Sequence, residues 1–313
     1  MIRYILKRIL QAVPLLLVIS FIVFTLIHLA PYDAIDAQIT SNMSQEEINI
    51  LREQSGLNKP FLIQYVDWLG QILSGNFGHS LVTHNSVGEE ILAKIPNTIS
   101  LVLPAYVTAL VIAIVLGLLA AANKGKWQDK LIDAVASLGI ATPSFWIAMI
   151  FIYVLGYQLN LFPIIGMHTI GKENDFGDFL SHFIMPYLTL TIVFFAELTR
   201  YVRSSALSQT NEEYVVVQQA FQATKTQIFT RHIIKNVLIP VITQVGMSLP
   251  MLVTGAIITE TVFSWPGIGP YITQATRALD YPIIMAVMLL SATLVIVGNL
   301  ISDILYSIVD PRI

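Results

Sequence analysis

The segment Glu260-Thr-Val-Phe-Ser-Trp-Pro-Gly-Ile-Gly269 stands between two long apolar runs near the C-terminus. It gathers one acid, two aromatics, a proline and two glycines, a mixture that neither helical nor strand periodicity demands. Proline and glycine so close together mark a tight turn. The segment therefore reads as a compact, polar-headed loop at the outer end of a membrane span, and the flanking runs read as spans.

Composition supports that reading. The chain has 313 residues, 55% hydrophobic and 12% charged, with a mean hydropathy of +0.70. A soluble surface at this length needs far more charge. Several stretches reach the roughly 20 apolar residues that cross a bilayer. The formal net charge of -3 says little by itself, and the absence of cysteine excludes disulfides and thiolate metal sites within the chain. Arg3, Lys7 and Arg8 followed by Ile9–Ala30 could pass for a signal peptide. The apolar part is longer than a cleavable core and no small-x-small site follows, so it is read as a retained first span.

Six candidate spans follow: Ile9–Ala30, Thr98–Ala122, Val135–Leu159, Phe183–Tyr201, Val237–Ile258 and Ile283–Val309. With the N-terminus inside, twelve Lys and Arg fall on the inner side, among them Lys124, Lys126, Lys130, Arg200, Arg203, Lys225, Arg231 and Lys235. Five fall outside: Arg52, Lys59, Lys94, Lys172 and Arg277. Both termini are expected in the cytoplasm.

Two polar stretches are too long to be turns. The outer one, 31–97, is acidic, with a capping box at Ser44-Gln-Glu-Glu47 and an amphipathic patch at Trp68, Leu69, Ile72 and Leu73. It reads as a small helical lid. The inner one, 202–236, carries a second capping-box pattern, Thr210-Asn-Glu-Glu213. Tyr214, Val217 and Phe221 then recur at i, i+3 and i+7, with Ala220 on the same face. A membrane-surface helix carries Lys or Arg on its polar face. Glutamate and glutamine stand here instead, so the stripe reads as a docking helix for another protein.

Glu197 and Arg200, three residues apart near the inner end of the fourth span, read as a structural pair. Five of the six histidines lie near the outer side, yet none is paired at ligand spacing, and no metal ligand is assigned.

Across nearly the whole chain these residues resemble one family, the inner-membrane permeases of dipeptide, oligopeptide and nickel ABC importers. The likeness rests on the Glu260–Gly269 loop, the Arg-rich first span, and Leu51-Arg-Glu-Gln-Ser-Gly-Leu-Asn-Lys-Pro60. It extends to Gly75-Asn-Phe-Gly-His-Ser80, Pro143-Ser-Phe-Trp146, Arg200-Tyr-Val-Arg-Ser-Ser205, Glu213 to Asn236, Asp280-Tyr-Pro282 and Asp310-Pro-Arg312. Two departures stand out. Pro31-Tyr-Asp-Ala34 replaces the usual Pro-Gly-Asp-Pro, and Ala220-Phe-Gln222 replaces an Ala-Lys-Gly core. Gln222 in a glycine position puts a standard fit in doubt, a longer helix being one possible consequence.

The resemblance implies an all-α polytopic membrane protein of the type I ABC importer permease kind. It implies six transmembrane helices in the cytoplasmic (inner) membrane, with an N-terminal helix 1–30, an extracytoplasmic helical loop 31–97 and a core permease domain 98–313. The coupling loop 202–236 lies between spans four and five. The chain would pair with a homologous six-span permease, two cytoplasmic ABC ATPases and an extracytoplasmic substrate-binding protein, surrounded by membrane lipid and without nucleic acid. Glu213, Tyr214, Val217, Ala220, Phe221, Gln222, His232 and Asn236 would couple to the ATPases. Glu260, Phe263, Trp265, Pro266, Gly267 and Gly269 would form an outer gate or touch the binding protein. The cargo is a peptide or, alternatively, nickel or a metal chelate.

No Gly-x-x-x-x-Gly-Lys-Ser/Thr loop occurs, so this chain is not expected to be an enzyme. ATP and Mg2+ belong to the partner subunits, and no cofactor is expected here. A stand-alone secondary transporter is the rival class, without visible repeats or an intramembrane charge relay to support it.

Overall fold

A computed structural model describes residues 2–29, 39, 43–54, 56, 58–248 and 256–309. The chain is an all-α polytopic membrane protein. Among the described residues four helices are long and apolar enough to cross a bilayer, or five if one bent pair is a single span. Helix α1 is Ile2–His28. Helices α2 (Gln45–Gln54) and α3 (Phe61–Leu73) follow. The expected Ser44 capping box is formed: the Glu47 amide donates to the Ser44 hydroxyl, and the Ser44 amide donates to the Glu47 carboxylate. Helix α3 lies against α1 through aromatics, Phe24 facing Trp68 at 5.4 Å and Phe21 facing Tyr65 at 5.2 Å. Its far face leaves Leu62, Ile63, Val66 and Leu73 exposed.

The core of the molecule is the pairing of α4 (Val87–Ala122) with α7 (Phe176–Gln209). Leu101, Val102, Ala105, Tyr106, Ala109 and Ala113 meet Leu190, Phe194 and Leu198. Small residues let the backbones approach, as membrane packing requires. A Cβ on Gly117 would sit 2.7 Å from Val202. Helix α4 is continuous from Val87, so the end of the expected outer stretch and the second span form one rod through Pro96 and Pro104.

The expected uninterrupted span Val135–Leu159 is instead bent. Helices α5 (Trp127–Ala141) and α6 (Ser144–Phe151), the latter continuing as a π-helical segment Ile152–Gln158, meet at 96°. Pro143 explains the break: the residue before a proline is driven to extended backbone, and Thr142 has ψ 119°. An ion pair between a buried Asp129 and a half-buried Arg203 ties α5 to α7. Asp129 receives Nε and Nη2 of Arg203 at 2.6 and 3.0 Å, and the Gly125 amide at 2.8 Å. The expected Glu197–Arg200 pair is not seen; Arg203 makes the contact in this region.

Beyond α7 come α8 (Glu213–Ala220), α9 (Lys225–Gln227), a π-helical segment Ile228–Ile233 and α10 (Ile234–Ser248). Then follow α11 (Ile257–Val262), α12 (Ile268–Ala278) and α13 (Tyr281–Val309). Residues 249–255 of the expected fifth span lie outside the described residues. Helix α10 crosses α13 at Gly246, where a Cβ would collide with the Ser302 hydroxyl.

Candidate functional site

Two regions carry the residues singled out in the sequence. The first centres on α8. Thr210 does not open this helix, contrary to the capping-box reading. Its hydroxyl donates to the Leu207 carbonyl at the end of α7, and the N-cap of α8 is Glu212, with no side-chain bond. The capping box in this region is Thr224 with Gln227, one helix later.

Helix α8 has three distinct flanks. Val215 is buried in a cluster with Ala121, Val202, Ala206, Ile228 and Phe229. Tyr214 and Gln218, one turn apart, line a groove with His232 and Asn236. Val216, Val217 and Phe221 face outward, Phe221 with 80% of its surface exposed. The expected stripe is therefore half-buried at Tyr214 and bare at Val217 and Phe221. Glu213, Ala220 and Gln222 are exposed, and His232 and Asn236 are half-buried.

Gln222 does not lengthen the helix. Helix α8 ends at Ala220, and Gln222 takes φ +58°, the left-handed conformation that glycine adopts without strain. The turn is thus kept while a side chain occupies it.

The second region is the Glu260–Gly269 loop. Glu260 is wholly buried. Its Oε2 accepts the Gly269 amide at 2.7 Å, and its carbonyl accepts the Trp265 amide at 2.8 Å. Ser264 turns the chain at φ +51°. From α4, the Thr98 hydroxyl accepts the Ile268 amide at 2.9 Å, the Asn97 carbonyl accepts Trp265 Nε1 at 2.8 Å, and Asn97 Nδ2 donates to the Pro266 carbonyl at 3.0 Å. A Cβ on Gly267 would collide with both Glu260 Oε2 and Thr98 Oγ1, which is why glycine stands there.

Burial pushes the Glu260 carboxyl above the ordinary carboxylate range, with the Gly269 amide and the Thr98 hydroxyl drawing it partly back. Its Oε1 has no hydrogen-bond partner. Trp265 packs on Phe179 and Phe183 of α7, and the Phe263 carbonyl accepts the Gly166 amide at 2.8 Å.

Of the six residues singled out in this loop, only Pro266 is exposed. The buried five shape the loop, and any surface contact falls to Pro266 and its exposed neighbour Ser264. Asn97 and Thr98 escaped the sequence reading, because nothing local links them to a loop some 170 residues away. Asp280 is a further anchor. It is buried and accepts the Ser80 hydroxyl at 2.5 Å and the Leu81 amide at 3.2 Å, joining the early outer segment to the start of α13.

Comparison with known proteins agrees with this architecture over the full length. Residues 113–313 match the family described as binding-protein-dependent transport system inner membrane component. Residues 1–102 match the N-terminal family of the same membrane components. The chain is 38% identical to the oligopeptide transport system permease protein AppB of Bacillus subtilis (strain 168), covering all of this chain and 99% of that one. It is 33% identical to the dipeptide transport system permease protein DppB of Alkalihalophilus pseudofirmus, with the same coverage. To the glutathione transport system permease protein GsiC of Salmonella typhimurium it is 31% identical, again with the same coverage. The chain belongs to the family of binding-protein-dependent transport system inner membrane components, as a permease subunit that carries no ATPase motif of its own.

Proposed function

We propose that this chain is the membrane-spanning subunit of an ATP-driven importer that moves peptides across the cytoplasmic membrane. The full-length likeness to permeases named for oligopeptides, dipeptides and glutathione carries the reading. The nickel alternative has no counterpart among those three. In this reading the chain has six spans with both termini in the cytoplasm, as the distribution of Lys and Arg supports. It pairs with a homologous permease, two ATPases and an extracytoplasmic binding protein.

Helix α8 is the coupling element. Its bare Val217 and Phe221 form an apolar surface that needs a partner. Its buried Val215 ties that surface to the inner ends of α4 and α7. Closure of the ATPases on ATP would displace α8 and bias the spans between inward-open and outward-open states. On the outer side, the loop anchored by Glu260 presents Ser264 and Pro266 towards the binding protein.

Reconstitution in proteoliposomes with the partner permease, the ATPases and the binding protein tests the reading. Peptide uptake that requires ATP and the binding protein is the expected result. Uptake driven by an ion gradient without ATPases would replace it with a secondary carrier. Unchanged ATPase assembly in a Tyr214→Asp/Phe221→Asp double variant would remove α8 from the coupling role.

A further inference from the structure

Helix α8 offers no positive charge to a partner. Glu212 and Glu213 open it, and Gln218 and Gln219 occupy its polar positions. The structure supplies the missing charge from the segment that follows. A groove of about 580 Å³ runs along the Tyr214–Gln218 flank of α8, and its other wall is Thr230, Arg231, His232, Lys235 and Asn236. Arg231 and Lys235 are four residues apart in a helical stretch, so they share one face, and both are exposed. No carboxylate lines this groove.

The groove is continuous with the bare apolar surface. Tyr214, Val217, Gln218 and Phe221 fall within one stripe at helical spacing, so Phe221 and Val217 border the same flank that forms the wall. An apolar patch beside a concentrated basic pocket is the complement of a surface with an apolar socket and an acidic rim. Such pairing sets docking register and rate more than raw affinity.

On these grounds we infer that the groove seats one or more carboxylate side chains of the partner ATPase, alongside an apolar contact at Val217 and Phe221. The inference rests on the reading that α8 is the ATPase-docking element. An anionic lipid surface is the poorer match, because a helix that lies on a membrane carries Lys or Arg on its own polar face, and α8 carries Glu213, Gln218 and Gln219 instead. The bidentate guanidinium of Arg231 suits a carboxylate, with Lys235 as a flexible second charge. Positive charge taken from a neighbouring segment also offers a way for a helix without basic residues to keep an electrostatic docking rule.

The test uses the assembled complex in nanodiscs and measures ATPase binding to the membrane subunits across a salt series. Three forms are compared: wild type, Arg231→Glu/Lys235→Glu, and Phe221→Asp. The wild type should bind more weakly as salt rises. The double reversal should bind about tenfold or more weakly at low salt and lose most of the salt dependence. Reversing acidic residues on the docking face of the ATPase to lysine, one at a time, should restore binding to the double reversal at one position.

Where the double reversal fails to assemble in the membrane, Arg231→Gln/Lys235→Gln replaces it with the same expectations at smaller amplitude. Unchanged affinity and salt dependence in the double reversal, with loss of binding in Phe221→Asp, overturns the carboxylate seat and leaves docking at α8 intact. Unchanged binding in both variants overturns the docking reading itself. A loss seen only in nanodiscs containing anionic lipid, and absent in zwitterionic ones, assigns the groove to lipid headgroups and overturns the proposal.

Discussion

The Gly269 amide donates a 2.7 Å hydrogen bond to Oε2 of Glu260, a carboxyl with no exposed surface. This contact closes the outer loop from within, and with the Thr98 and Asn97 bonds it fastens the loop to α4. Replacing Glu260 by alanine leaves the Gly269 amide buried without an acceptor, a cost of about 1–3 kcal/mol. Glutamine keeps an acceptor at the same reach and should lose less. At pH 4.5 or below, where the carboxyl is uncharged, thermal unfolding of the purified chain in detergent should therefore rank wild type above Glu260→Gln above Glu260→Ala.

The same carboxyl makes stability depend on pH. Burial raises its folded-state pKa above the ordinary 4.5, so the folded chain holds this proton more tightly than the unfolded chain does. Its contribution is fully present below about 4.5 and declines as pH rises through the folded value. Unfolding midpoints measured from pH 4.5 upward should fall in the wild type, with that component of the slope absent in Glu260→Gln. Parallel slopes in the two proteins would show that the carboxyl does not titrate in this way.

Gln222 holds a left-handed backbone at φ +58°. A non-glycine residue there carries a steric cost of about 1 kcal/mol. Gln222→Gly should therefore stabilise the turn by up to about 1 kcal/mol, less the added entropy of the unfolded chain. Gln222→Val, β-branched at positive φ, should destabilise it. Protease protection of the Gln222 turn, followed with temperature, reads both effects.

Asp129 is buried, and its partner Arg203 is about a quarter exposed. Removing one member of a fully buried pair costs about 3–5 kcal/mol, and the water that reaches Arg203 lowers this to about 2 kcal/mol. Asp129→Ala should lower the unfolding midpoint. Combining it with Arg203→Leu should recover part of the loss, because no charge is then left without its counterpart.

Gly246 sits where α10 and α13 touch, and any side chain there meets Ser302. Gly246→Leu should separate the two helices and abolish transport. Gly246→Ala paired with Ser302→Ala should keep more activity than Gly246→Leu. Equal uptake in wild type and Gly246→Leu would contradict the close crossing.

Long apolar runs made the spans legible, because lipid leaves a helix little choice but to be continuous and uncharged. Pro143 is equally visible in the sequence, and within a long apolar run it turns one expected span into two helices at 96°. The outward position of Phe221 followed from its spacing. The failure at Thr210 has a local cause, since its hydroxyl is taken by the Leu207 carbonyl that ends the preceding helix. Glu260 was the hardest residue to read. An acid at the head of a loop is expected in water, and only contacts with Thr98 and Asn97, far away in sequence, enclose it.

Helix α4 links the two regions as one rod. Asn97 and Thr98 grip the Trp265 loop, and Ala121, near the C-terminal end of the helix, shares a cluster with Val215 of α8. At about 1.5 Å per residue Ala121 lies about 25 Å and Thr98 about 10 Å from the middle of this helix, so a tilt of about 10° around that point moves Ala121 by about 4 Å and Thr98 by about 2 Å in the opposite direction. A displacement at the Ala121 end would thus reach the Trp265 loop as through a lever with unequal arms, reversed in sense and reduced to less than half its size.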